Sequence, residues 1–241
     1  MIRQLLMILA LIWPFAVSAQ DSRLQSLETM DAGRKWEAVG RLDVDGTGFC
    51  TGALIAADLV LTAAHCLFDS ETRTPLDPQS IEFLAGWKNG RAAAYRSVRR
   101  AVLHPDYIYD GEVSADRVRN DLALLQLQRP IRNTSVIPFT TDSRPRRGDR
   151  IGVVSYAHDR AEAPSLQDVC SVKARQEGVL VMSCEVDFGS SGAPVFSFAS
   201  GQPRIVSVVS AKAEIGGEPV SLGSALAEEL DLLQAQLTGI P

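Results

Sequence analysis

Three short stretches of this 241-residue chain carry side chains that could together break an acyl bond. Asp187-Phe188-Gly189-Ser190-Ser191-Gly192-Ala193-Pro194-Val195 sets two serines between glycines, ahead of a proline and an apolar segment. Small residues with Gly and Pro are also the ordinary composition of surface turns, so this stretch alone does not separate a nucleophile from a turn. Val60-Leu61-Thr62-Ala63-Ala64-His65-Cys66 ends an apolar run in an imidazole. A lone histidine is more often structural than catalytic. Here a disulfide from Cys66 back to Cys50 would fix the base of the ring, and a loop of that size stabilises by ~3 kcal/mol in the chain-entropy account. Asn120-Asp121 stands before the nearly all-apolar Leu122-Ala123-Leu124-Leu125. Such a carboxylate is either a turn residue at a strand entrance or the group that accepts a histidine's second N–H, fixes its tautomer and stabilises the imidazolium. A hydroxyl, an imidazole and a carboxylate in one site make an acyl-transfer apparatus.

The elements that would have to position them read as strands. From Trp36 on, short apolar runs are broken by Gly, Asp, Asn and Pro at the spacing of a β-sandwich or barrel. Strands are expected at Trp36 to Leu42, Phe49 to Ile55, Leu59 to Thr62, Ile81 to Ala85, Tyr95 to Val102 and Leu122 to Leu127. Asp45-Gly46 supplies the backbone angles for a hairpin between the first two. The polar, Pro-rich run from Arg129 to Asp149 reads as a connector. A second set is expected at Ile151 to Tyr156, Asp168 to Ala174, Val179 to Val186, Pro194 to Phe198, Arg204 to Ser210 and Pro219 to Leu222. Leu226, Leu230, Leu233 and Leu237 then fall on one face of a terminal helix, with Ser224 placed to cap it and the leucine stripe expected to pack on the second half. The layout is a signal segment over 1–19, an N-terminal segment or short pro-region over 20–35, a first β half over 36–130, a connector over 131–149, a second β half over 150–223 and a helix and tail over 224–241.

Composition bounds the partners. Met1-Ile2-Arg3, an apolar run from Leu5 to Val17 and Val17-Ser18-Ala19 form an export signal with a small-residue cleavage site, leaving Gln20 as the mature start. The run is shorter than the ~20 residues a membrane span needs, so the mature protein is expected free of the membrane, in the periplasm or the medium. The formal net charge of -5 gives no electrostatic case for nucleic acid, and Arg99-Arg100 and Arg144-Pro145-Arg146-Arg147 read as solvated edges. Four cysteines in an exported chain imply two disulfides. Three pairings are open, and the spacing favours the local Cys50–Cys66 and Cys170–Cys184, with free thiols at 170 and 184 as the other reading. Only three histidines and no close C-x-x-C pair leave little for a metal site, and no cofactor is expected.

The order His, Asp, Ser is that of the chymotrypsin group, and the α/β-hydrolase G-x-S-x-G elbow is absent. The chain resembles the trypsin-like, chymotrypsin-fold serine peptidases, and among them the bacterial V8-like branch. Leu61 to Cys66 is similar to the family's histidine motif, Asn120 to Ile131 to its aspartate region, and Gly189 to Phe196 in part to its serine motif. The resemblance implies an all-β chain of two six-stranded antiparallel β-barrels, chymotrypsin-like, with a C-terminal α-helix and a cleft between the barrels. It implies a monomeric serine endopeptidase acting on protein or peptide substrates. His65 would be the general base and then acid, Asp121 its orienter, Ser191 the nucleophile that forms an acyl-enzyme, and the N–H groups of Gly189 and Ser191 the oxyanion hole. For the substrate pocket it implies Glu185 at the floor and Ser207, Val208 and Val209 along its wall. An acid at the floor would favour a basic residue before the cut, bulk at Val209 would narrow the entrance, and Val206 in place of a histidine argues against glutamate specificity.

The chain also departs from the family. Ser190 replaces the aspartate that in animal enzymes receives a freed N-terminal ammonium, and no Ile-Val-Gly-Gly start precedes Trp36. The oxyanion loop is therefore expected to be shaped without that ion pair. Cys170 and Cys184 are not at the digestive enzymes' spacings and are expected to cross-link two adjacent strands before the serine loop. His104 and His158 are expected to be structural or solvent-facing. A catalytically silent relative acting as a binding protein, and an esterase, remain competing readings.

Overall fold

A computed structural model of the chain describes residues 24–44, 46, 48–142 and 145–239. The expected signal segment 1–19, the Gln20 start, Asp45 of the hairpin turn and Arg144 of the arginine cluster lie outside them. In chain order the elements are β1 (Gln25–Ser26), α1 (Met30–Gly33), β2 (Val39–Val44), β3 (Gly48–Ala56), β4 (Leu59–Thr62), β5 (Ile81–Ala85), β6 (Ala94–Leu103), α2 (Ala115–Arg119) and β7 (Ala123–Leu127). They continue with β8 (Arg150–Ala157), β9 (Arg160–Gln176), β10 (Val179–Met182), β11 (Pro194–Ser197), β12 (Arg204–Ile215), β13 (Glu218–Ala225) and α3 (Ala227–Thr238).

Strands β2-β3-β4-β7-β6-β5 close one antiparallel barrel. The second runs β9-β10-β13-β12-β11-β8 and closes through the β9–β8 pairing, while β1 adds to β9 outside the barrel. Two closed six-stranded barrels are what the resemblance implied. Closure leaves few free strand edges. The inward-facing residues, among them Leu42, Leu54, Leu61, Phe83 and Leu125 in the first barrel and Ile151, Leu180 and Val195 in the second, are essentially inaccessible.

Several expectations on the elements need correction. Trp36 belongs to a 3-10 turn (Arg34–Trp36) and the strand starts at Val39, because Trp36 packs between Phe139 and Phe196 at ring distances of 5.9 and 5.0 Å. Those three rings, from the N-terminal segment, the connector and β11, fill the seam between the barrels. β9 begins at Arg160, eight residues before the expected start, since a hairpin on β8 pairs Ala157 with Arg160. Strand β10 ends at Met182 instead of Val186, and β12 runs on to Ile215.

Ser224 does not cap the terminal helix. It lies in β13, and its hydroxyl donates to the carbonyls of Val118 and Asp121 at 2.6 and 3.3 Å, while the helix opens at Leu226 without a side-chain cap. The helix also packs on the first barrel instead of the second. Leu226, Leu230 and Leu233 join the core that contains Leu122 and Leu124, the Arg100 guanidinium donates to the Leu237 carbonyl, and buried His104 meets Glu229 at 2.8 Å. His104 is thus structural.

Both disulfides are the local ones, Cys50–Cys66 and Cys170–Cys184. The second joins β9 to the segment just after β10, so the expected strand-to-strand cross-link falls two residues past the end of the neighbouring strand, because β10 stops at Met182. The N-terminal segment is part of the fold: Gln25 and Ser26 pair with Leu166 and Ser165, the Leu27 N–H donates to the Pro164 carbonyl at 3.0 Å, and Leu27 is 2% exposed. Truncating Leu27 removes a buried side chain from that strap. Leu27→Ala is expected to lower the unfolding free energy by about 2–5 kcal/mol, read from urea denaturation; a value under 1 kcal/mol would show the strap to be dispensable.

Candidate active site

Strand β4 ends at Thr62 and the chain turns into a 3-10 helix (Ala64–Leu67) that carries His65. The Cys50–Cys66 bridge anchors this turn to β3. Asp121 follows α2, whose C-terminal end delivers it to the entrance of β7. The His65 Nδ1 lies 2.6 Å from Asp121 Oδ2, and the His65 backbone N–H donates to Asp121 Oδ1 at 2.8 Å. A third donor, the Ser210 hydroxyl from β12 in the second barrel, reaches Asp121 Oδ2. Asp121 is fully buried. A buried carboxylate is costly unless hydrogen-bonded, and here three donors from two segments, the His65 turn and β12, meet it. Because Nδ1 donates to the carboxylate, the neutral ring keeps its Nε2 lone pair as proton acceptor.

The serine loop lies against this pair. Its peptide planes are fixed one after another by donors to their carbonyls: Phe188 O accepts from His158 N–H at 2.7 Å, Gly189 O from the Thr51 hydroxyl at 2.8 Å, Ser190 O from Ala193 N–H at 3.0 Å and Ser191 O from Thr51 N–H at 2.8 Å. In a trans peptide the carbonyl and the following N–H point in opposite directions. Fixing the Phe188 carbonyl on the β8–β9 turn therefore aims Gly189 N–H away from that turn. Among the described residues, the N–H groups of Gly189 and Ser191 take no intramolecular acceptor. Gly189 has φ +93°, and an added Cβ would come within 2.4 Å of the Phe49 ring; only glycine fits this position comfortably. Ser191 Oγ makes no hydrogen bond to the His65 ring among the described residues; such bonds often tighten only when substrate is present.

Two cavities flank the site. One of about 130 Å³ is lined by Val186, Asp187, Phe188, Ser191 and the β12 residues Val209 to Lys212. At its mouth Lys212 Nζ pairs with Asp187 Oδ1 at 3.0 Å and lies 4.5 Å from the centre of the Phe188 ring. The hydrogen bond from Lys212 holds the Asp187 carboxyl below its ordinary range. A larger cavity of about 390 Å³ lies on the other side, against His65, the Cys50–Cys66 bridge, Phe49 and Asp69. Cys50, Cys66 and His65 offer ligand-type atoms within 4.8 Å of one another, but both sulfurs are consumed in the disulfide, which leaves no thiolate for a metal.

Of the expected pocket residues, Val209 lines the cavity beside Ser191. The others do not. Glu185 is exposed and borders a different cavity with Glu214 and Pro219, because the chain turns after Met182 and carries it out of the cleft. Ser207 and Val208 are inaccessible, Ser207 Oγ donating to the Ser224 carbonyl at 2.7 Å inside the barrel. The wall falls further along β12 than motif spacing suggests, since that strand continues to Ile215. Sequence reasoning missed Ser210 and Thr51. The hydroxyl ending the run Val206-Ser207-Val208-Val209-Ser210 was the available signal for the first; nothing local marks the second.

Two closed barrels, with a paired histidine and aspartate on one and a glycine-framed serine loop on the other, define the class of chymotrypsin-fold serine peptidases. The chain belongs to the family of the trypsin-like peptidase domain, whose model matches residues 46–204. Mouse cathepsin G is 36% identical over 93 residues, 39% of this chain and 31% of that protein. Mouse serine protease 23 is 28% identical over 163 residues, 61% of this chain and 42% of that protein. The chain thus spans well under half the length of these curated relatives. Among solved structures, a Glu endopeptidase in complex with MPD superposes with a TM-score of 0.68 at 18% identity, covering 85% of this chain and 91% of that one. A scabies mite inactivated protease paralogue does so at 0.68 and 15%, covering 86% and 95%. At such identities both likenesses concern the fold alone.

Gly192 offers a test of how tightly the serine loop is seated. A Cβ there would lie 2.1 Å from Thr62 Oγ1 and 2.3 Å from the Thr51 carbonyl oxygen, whereas one at Gly201, with a similar φ, meets nothing within 4 Å. Gly201→Ala is expected to lose about 1 kcal/mol from backbone strain, and Gly192→Ala about 1–3 kcal/mol more from overpacking, as measured by chemical denaturation; equal losses would mean that the loop is loosely held.

Proposed function

We propose that the chain is an exported serine endopeptidase that cleaves peptide bonds through an acyl-enzyme on Ser191. The Ser191 hydroxyl attacks the scissile carbonyl carbon and passes its proton to His65 Nε2. The resulting oxyanion is stabilised by the N–H groups of Gly189 and Ser191. The imidazolium, held by Asp121, returns the proton to the leaving amine, the C–N bond breaks, and the acyl group stays on Ser191. Water then attacks the ester while His65 takes its proton; the carboxylic acid leaves and the serine hydroxyl is restored. The observation that carries this reading is the pairing of a buried, three-donor Asp121 with a His65 whose other nitrogen has no partner among the described residues, next to a loop that leaves two N–H groups without partners among them.

The cavity beside Ser191 is small and walled by Val186, Val209 and Ala211. With the charge of Lys212 already matched by Asp187, it suits a small aliphatic side chain before the cut and offers neither a basic nor an acidic side chain a free counter-charge. Two disulfides and the N-terminal signal motif support an extracytoplasmic, oxidising location, and no helix of the described residues is long and apolar enough to cross a membrane.

Fluorophosphonate labelling of the purified protein, with Ser191→Ala beside it, tests the chemistry. The wild type alone is expected to be labelled, and Asp121→Asn to lose about 10⁴ in turnover, a magnitude carried over from the family's reference enzyme. Failure of the wild type to label would leave the chain a silent binding relative. A peptide library, run beside ester substrates, is expected to show cleavage of amide bonds after Ala or Val; cuts after Lys, Arg or Glu would overturn the pocket assignment.

A further inference from the structure

The loop that holds Ser191 depends on the next residue back. Ser190 is wholly buried, and its hydroxyl lies 3.2 Å from both Ser155 Oγ and the Tyr156 carbonyl on β8, while the Asp187 N–H points at it from 3.4 Å. Ser155 is in turn reached by Arg160 Nη2 at 3.3 Å. A guanidinium only donates, a carbonyl only accepts, and a hydroxyl has one proton. Arg160 and Ser190 therefore both donate to the Ser155 hydroxyl, and the one Ser190 proton is shared between Ser155 Oγ and the Tyr156 carbonyl. A serine side chain is thereby held in one rotamer by a cation two bonds away.

Arg160 is well placed for this. It opens β9 directly across the two-residue turn from Ala157, its side chain is 17% exposed, and its Nη1 is steadied by Asp159 at 3.1 Å. Its Nε is buried with no partner among the described residues, a cost that a surface arginine would avoid by swinging into water. The same turn supplies the His158 N–H that fixes the Phe188 carbonyl. One hairpin therefore grips the serine loop at Phe188 and at Ser190, on either side of Gly189.

We propose that Arg160 is a positioning residue for the oxyanion loop, acting through Ser155 on Ser190, so that the loop is set by an internal cation instead of a freed N-terminus. The inference rests on the acyl-transfer reading of Ser191 for its effect on turnover, but its effect on the loop can be read separately.

Arg160→Met, Arg160→Lys and Ser155→Ala are the variants. In Arg160→Met, hydrogen exchange at the Ser190 N–H, which donates to the Asp187 carbonyl at 2.9 Å, is expected to quicken about 10- to 100-fold, the loss of one charge-assisted hydrogen bond, with the thermal midpoint unchanged. Ser155→Ala is expected to match it, the double variant to add nothing, and Arg160→Lys to restore part of the protection. In steady-state cleavage kcat is expected to fall by the same factor with KM held within twofold, and extra residues before the N-terminus to leave wild-type kcat unchanged. Unaltered Ser190 exchange in Arg160→Met, or wild-type turnover that appears only after an N-terminal cut, would overturn the proposal. A wild type that neither labels nor cleaves, yet shows the exchange effect, would refute the peptidase reading and leave the loop brace standing.

Discussion

Thr51 is the residue on which the arrangement turns. It is inaccessible to solvent, and every polar group it owns is used across the seam or beside it. Its N–H holds the Ser191 carbonyl, its hydroxyl donates to the Gly189 carbonyl and accepts from the Tyr156 N–H at 3.1 Å, and its own carbonyl accepts from Thr62 at 2.9 Å. A single residue of β3 thus ties the serine loop and β8 of one barrel to the strand end that precedes His65 in the other. Buried hydrogen bonds of this kind contribute modestly each but are costly to leave unmade, so the loop has one low-energy seat.

The electrostatics of the site follow from that seat. With the loop docked, β12 brings Ser210 to Asp121 and completes the donor set of a carboxylate that belongs to the other barrel. In a water-poor cleft such preset dipoles act more strongly than in solution and need little rearrangement when charge develops. The first barrel carries His65 and Asp121, the second carries the serine loop and the cavity beside Ser191, and the hydrogen bonds of Thr51 and Ser210 join them.

The barrels themselves were largely legible. Alternating apolar runs broken by Gly and Asp placed β4 and β5 to the residue, and the His, Asp and Ser motifs stood out because each pairs a reactive side chain with small or apolar neighbours. What escaped was set by tertiary packing. Ser224 has the composition of a cap but is held in β13 by carbonyls more than a hundred residues away, and the leucines of α3 show a face without saying which barrel it meets. Glu185 and Ser207 were placed by counting along a motif, and counting fails where β10 ends early and β12 runs long. Thr51 has no local signature, since its partners are fixed only when the barrels dock.

The two ends of the described chain exchange sides. The N-terminal strand β1, which precedes the first barrel in sequence, lies along the second, and the final helix α3, which follows the second, lies on the first. Each barrel is therefore clasped by a segment whose neighbours belong to the other, like crossed laces. Prying the halves apart would strip off both laces at once, so heat or denaturant should melt the whole as one cooperative unit, with no half-folded barrel left standing.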